Sequence, residues 1–154
     1  MNRSKGFTLI ELVIVITILG ILAVTAAPKF IDLKRESIIS TMQGITASLN
    51  SVSTMVHAKA LIKGINNQET ATIDVLGQTI NIAYGYPDGT VDGIVKLIEL
   101  SGNWKQRASI YNGAWVYWHG IIQEDAGAAQ CYIRYERAVN ATTRPYITFQ
   151  DNGC

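Results

Sequence analysis

The sequence predicts an α+β chain: a long N-terminal α-helix whose second half packs on an antiparallel β-sheet. Three patterns predict it. From Phe7 to Ala27 the chain is apolar, with the single charge of Glu11. Ile38, Met42, Ile45, Leu49, Val52 and Val56 then recur at alternating spacings of four and three, one stripe of a helix. The last third instead alternates apolar and polar residues with period two, the signature of half-buried strands.

At 1.5 Å per residue, the first run makes a helix of roughly 31 Å, close to the ~30 Å hydrocarbon core of a bilayer. Arg3 and Lys5 precede it, and such a basic flank stays in the cytoplasm, which places the rest of the chain outside. Glu11 is the anomaly. A carboxylate in such a helix costs a few kcal/mol, so it marks a functional position by default. Were the chain cut after Gly6, Phe7 would carry a free α-amine, mostly cationic at neutral pH because its pKa is about 8. Glu11 lies one helical turn further on and can neutralise that amine, in its own chain or in a neighbouring copy. In an apolar bundle an unpaired member is strongly penalised, so the pair would set the register between copies.

The block from Lys5 to Pro28, with Gly6, Phe7-Thr8-Leu9-Ile10-Glu11-Leu12 and the long apolar run, resembles the N-terminus of type IV pilins and their pseudopilin relatives. The resemblance implies a pilin-like fold and cleavage of a leader, residues 1–6, between Gly6 and Phe7 by a prepilin peptidase. It implies N-methylation of Phe7 and pairing of Glu11 with the Phe7 amine of an adjacent subunit. It also implies that residues 7–28 first anchor the subunit in the inner membrane, where the pilus assembly machinery takes it up. The same helix then forms the core of a helical homopolymer, an extracellular pilus or fimbrium on a Gram-negative bacterium. An ordinary secretory signal cleaved near Ala23-Val24-Thr25-Ala26-Ala27 has an apolar region of only about 7–15 residues. A plain membrane anchor gives no reason for Glu11.

Pro28 removes a helical N–H and its ring crowds the preceding turn, so a kink is expected around Gly20 and Pro28. In pilins this segment is where helices lose regularity inside filaments. Beyond it, residues 29–154 form the expected globular domain, starting with the amphipathic helix 29–63. Lys63-Gly64 signals its C-terminal stop. The charged cluster around Asp32, Lys34, Arg35 and Glu36 sits just past the apolar run. In the connecting region 64–110, Ile73-Asp74-Val75 and Thr79-Ile80-Asn81-Ile82 flank Leu76-Gly77-Gln78 and read as a hairpin. Tyr86-Pro87-Asp88-Gly89 reads as a turn. Val91, Ile94, Val95 and Ile98 keep helical spacing, which suggests a short helix to Leu100.

Residues 111–154 read as the sheet with a disulfide-closed loop. Its strands are Ala114–His119 after the turn signal Asn112-Gly113, Gln130–Arg137, and Tyr146–Phe149. Cys131 and Cys154 both lie in the translocated part, where an oxidising compartment favours a bond between them. Closing that loop contributes about 3 kcal/mol in the chain-entropy treatment.

Ala27-Pro28-Lys29-Phe30, the helix ending Ala58–Gly64, the Gly85-Tyr86-Pro87 turn and the terminal Gly153-Cys154 resemble the mannose-sensitive haemagglutinin type of pilin. That resemblance implies a major subunit engaged in surface attachment and biofilm formation, with carbohydrate or host receptors as partners.

Other chemistry is thinly represented. Removing residues 1–6 takes away Arg3 and Lys5, two of 13 basic side chains, and turns the net charge from +1 to −1. Such a chain has no bulk attraction for nucleic acid. His57 and His119 lack metal-ligand spacing, so no metal site or cofactor is expected. No phosphate loop or nucleophile elbow is present, which speaks against an enzyme. Trp104, Trp115 and Trp118 read as core aromatics rather than a ligand patch. Asn140-Ala141-Thr142 matches a glycosylation sequon. Two other functions stand beside the pilus subunit: a pseudopilin of type II secretion, and a periplasmic binding or enzymatic domain.

Overall fold

In the computed structural model, residues 6–109, 113–119 and 130–154 are described, without the side chains of residues 27, 28, 30–32 and 119. The leader cations Arg3 and Lys5, Asn112, the Pro28 ring and the Asp32 and His119 side chains therefore lie outside the described residues. Helix α1 spans Leu9–Ile62 and is followed by seven strands: β1 (Ala71–Val75), β2 (Gln78–Ala83), β3 (Tyr86–Pro87), β4 (Trp104–Ala108), β5 (Ala114–His119), β6 (Tyr132–Glu136) and β7 (Tyr146–Gln150). The chain divides into two units after Ser37.

In the first unit the helix is apolar and bare. Leu9–Ala26 is long and apolar enough to cross a membrane, and none of it is buried within the chain. The helical assignment continues through Gly20 and Pro28, positions where a kink was expected. Thr17 and Thr25 donate their hydroxyls back to carbonyls of the preceding turn, which removes the cost of unpaired polar groups on this segment.

In the second unit the stripe does what its spacing predicts. Met42, Leu49 and Val56 are fully buried, with Ile38, Ile45 and Val52 packed beside them. Full burial of side chains this size contributes roughly 1.5–3 kcal/mol each. The opposite face is polar and bonds to its own helix. The Thr46, Ser48 and Thr54 hydroxyls and the Asn50 amide each donate to the carbonyl four residues back, all at 2.9 Å. The helix ends one residue before the expected Lys63. The Ile65 amide donates to the Ala60 carbonyl and the Gly64 amide to Leu61, both at 3.0 Å, with Gly64 at φ 67. This is a Schellman close, and Ile65 packs against the cluster that holds Ala60.

Two sheets cover the stripe, where one was expected. The first, in order β1-β2-β3, packs Ile73, Val75, Ile80 and Ile82 on Val56 and Ala60. Its β1–β2 hairpin has a two-residue turn, because Val75 pairs with Gln78. Leu76 (φ 53) and Gly77 (φ 78) are both left-handed, a type I′ turn whose twist matches the strands. Tyr86-Pro87 is not a turn but strand β3. The reversal falls one step earlier, at Tyr84 (φ 50) and Gly85 (φ 81). The expected short helix shrinks to a 3-10 turn, Ile94–Leu97, after which Ile98 is already extended (φ −123, ψ 114).

The second sheet runs β4-β5-β6-β7, all antiparallel. It starts at Trp104, inside the expected connecting region. β4 (Trp-Lys-Gln-Arg-Ala) is a polar edge strand with no alternating apolar signal. Trp115, Tyr117, Ile133 and Tyr135 face Met42 and Leu49 in one core, joined by Cys131. Of the tryptophans read as core, Trp115 belongs to this cluster and Trp104 packs against it, whereas Trp118, also buried, is on the other face of β5 beneath the Arg107 guanidinium.

Candidate assembly site

The N-terminal site is built from Gly6, Phe7, Thr8 and Glu11. Gly6, Phe7 and Thr8 precede the helix, and Phe7 is 84% exposed. Thr8 is the N-cap. Its hydroxyl accepts from the Glu11 amide at 3.3 Å, while the Glu11 carboxylate accepts from the Thr8 amide at 2.8 Å and the Thr8 hydroxyl at 2.6 Å. This reciprocal pair is a capping box, which satisfies otherwise orphaned donors at the helix start. The Leu12 amide closes the first turn on the Thr8 carbonyl.

Glu11 is therefore a helix cap as well as a lone charge. Both bonds go to Oε2, and Oε1 makes none among the described residues. The carboxylate is thus satisfied through one oxygen within its own helix. Around it Leu9, Ile10, Leu12 and Val13 stand exposed, so no part of the described chain shields the site. Thr8 escaped the reading of the sequence, although Thr-x-x-Glu before an apolar run is itself the cap signal.

The second locus is the disulfide. Cys131 and Cys154 are bonded, closing a loop that contains β6, β7 and the exposed turn at Asn140–Thr142. Met42 of α1 sits beneath the bond, its Sδ 3.7 Å from the Cys131 sulfur and 3.5 Å from that of Cys154. These are packing contacts, since neither disulfide sulfur carries a proton. The Asn140 carboxamide oxygen accepts from the Thr142 amide and hydroxyl. His57 stacks on Tyr86 with ring centroids 4.1 Å apart. Among the described residues no group of His, Cys, Asp and Glu is arranged to hold a metal ion.

Residues 1–27 match the prokaryotic N-terminal methylation motif family. The N-terminal block read above thus carries a methylation motif. The chain is 43% identical over 63 residues to a type IV narrow pilus major component of Thermus thermophilus, covering 41% of this chain and 53% of that protein. It thus spans about half the length of that relative. It is 34% identical to a type IV major alpha-pilin of Moraxella bovis, covering 67% of this chain and 65% of the relative. A fimbrial protein of Pseudomonas aeruginosa is 29% identical, with 67% of this chain and 74% of the relative covered. These relatives are named as a pilus component, a pilin and a fimbrial protein. No solved structure matches the chain. The α+β pilin-like fold rests on the helix and the antiparallel sheets packed on it.

Proposed function

We propose that this chain is a structural subunit of an adhesive type IV pilus, polymerising through its N-terminal helix once residues 1–6 are removed between Gly6 and Phe7. The observation that carries this reading is Glu11: a carboxylate at the start of an exposed apolar helix, capped by Thr8 through one oxygen, with the other unbonded among the described residues. A methylated Phe7 amine of an adjacent subunit is the cation that fits it. The subunit waits in the inner membrane and leaves it for the growing fibre. The relatives named as pilus and fimbrial proteins support this. The resemblance to the mannose-sensitive haemagglutinin type supports a major subunit acting in attachment and biofilm formation.

The test is mass spectrometry and electron microscopy of material sheared from cells. A polymer of this chain beginning at methylated Phe7 is expected. A mature chain beginning near Pro28, or no polymer, overturns the reading. A fibre confined to the periplasm points instead to a secretion pseudopilin, which shares the same N-terminal module. Loss of surface attachment on deleting the chain, with recovery on restoring it, tests the adhesive role.

A further inference from the structure

The chain carries two Asn-x-Ser/Thr triplets, Asn2-Arg3-Ser4 and Asn140-Ala141-Thr142. Only the second lies beyond the apolar helix, in the part that leaves the cytoplasm under the filament reading. It belongs to the connection between β6 and β7, where Val139, Asn140, Ala141 and Thr142 are all exposed. Among the described residues the bonds of this turn stay within residues 139–143. The Asn140 carbonyl accepts from the Thr143 amide, and the Thr143 hydroxyl accepts from the amides of Val139 and Asn140, each at 3.3 Å.

The Asn140 side chain uses only one end of its carboxamide. Its Oδ1 accepts from the Thr142 amide at 2.9 Å and the Thr142 hydroxyl at 2.8 Å, while Nδ2 makes no bond among the described residues. Oxygen and nitrogen cannot be exchanged here, because a backbone N–H requires the oxygen opposite it. Asn50 and Asn66 differ: each donates its Nδ2 at 2.9 Å, to the Thr46 carbonyl and to the Asn67 carboxamide. An aspartate would close the same turn at position 140. Folding therefore accounts for the oxygen and leaves the exposed nitrogen unexplained.

We propose that Nδ2 of Asn140 is a glycosylation site, the acceptor of a sugar delivered as a lipid-linked glycosyl pyrophosphate. The motif supplies the acceptor amide and the hydroxyl two residues on, and the turn presents both at the surface. In the transfer an N–C bond forms between Nδ2 and the anomeric carbon as the C–O bond to pyrophosphate breaks. The leaving phosphate keeps the electron pair, Nδ2 gives one proton to a base of the transferase, and nothing is oxidised or reduced. Because the bonds of the turn are local, the tip can enter a transferase while the sheets stay closed. The inference rests on the export that the filament reading requires.

Peptide mass spectrometry of the mature chain purified from its source cells is the test. The peptide holding Asn140 should be heavier by one or more sugar residues, and a peptide-N-glycosidase should remove that mass and leave aspartate in its place. Asn140→Asp keeps the oxygen that closes the turn, so it should unfold at the wild-type denaturant midpoint yet lose the added mass completely. Thr142→Ser should retain the mass and Thr142→Val should lose it. An Asn140 peptide of unmodified mass overturns the inference, as does sugar that persists in the Asn140→Asp variant. The same digest gives the first residue of the mature chain. A start other than Phe7 overturns the filament reading, whereas a start at Phe7 with Asn140 bare overturns the glycosylation site alone.

Discussion

The Tyr135 hydroxyl donates to the Pro87 carbonyl across 2.8 Å, tying the four-stranded sheet to the three-stranded one. Both residues are fully buried. Nearby, the Arg137 guanidinium reaches the Asp88 carboxylate at 3.5 Å, a second tie between the same segments. The two sheets thus hold each other as well as α1. Tyr135→Phe strands a buried carbonyl and should cost about 1–3 kcal/mol in urea unfolding. A loss near zero would mean that water takes over the Pro87 carbonyl.

Burial also pushes the hydroxyls of Tyr135 and Tyr117 well above their ordinary pKa of about 10. In the unfolded chain both ionise from about pH 10, while in the folded chain they stay protonated. The unfolded state then binds fewer protons, so stability is intact below about pH 10 and falls as pH rises beyond it. Each group adds a slope of about 1.4 kcal/mol per pH unit. Urea midpoints measured from pH 8 to 12 should show this decline, and it should flatten in Tyr117→Phe and Tyr135→Phe variants.

Glu11 carries two roles that a single alanine substitution confounds. Glu11→Ala removes the cap and the charge; it should leave membrane insertion intact or improved and reduce incorporation into fibres. Glu11→Gln is the sharper test, because glutamine can also close a capping box. Piliation lost in the glutamine variant assigns assembly to the charge. Normal piliation there assigns it to the cap and refutes pairing with the Phe7 amine. Thr8→Val should weaken the helix start by about 1 kcal/mol while leaving the carboxylate in place.

Met42 couples the helix to the disulfide. Met42→Ala should cost roughly 2–5 kcal/mol, the range for emptying a large core site. Replacing both cysteines by alanine should cost about 3 kcal/mol. Because the thioether touches both sulfurs, the triple variant should lose less than the two costs combined, by 0.5 kcal/mol or more. Denaturant unfolding of the four proteins reads this coupling directly, and strict additivity would show that the contact carries no energy.

Much of this architecture could be read from residue type alone. The helical stripe from Ile38 to Val56 announced its buried face because each member is large and apolar at helical spacing. The hairpin at Leu76-Gly77 was visible through its glycine and the alternation on either side. Strand β4 was not, since Trp104–Ala108 sits at a sheet edge where lysine, glutamine and arginine face water. Tyr86-Pro87 misled because proline usually marks a turn; here it lies in a two-residue strand, and the reversal needs a tyrosine at positive φ. At the assembly site, the oddity of Glu11 was plain from charge, whereas Thr8 shows its part only once the carboxylate is seen bending back to it.

Thr46, Ser48, Asn50 and Thr54 on α1, whose hydroxyls and amide are turned onto their own backbone, have a bearing on traffic between environments. Groups already bonded within their helix lose little when water is stripped from them, and gain little when it returns. Such a flank is nearly indifferent to whether it is wetted or pressed against protein, so one side of the rod can change surroundings while the other stays clamped to its sheets.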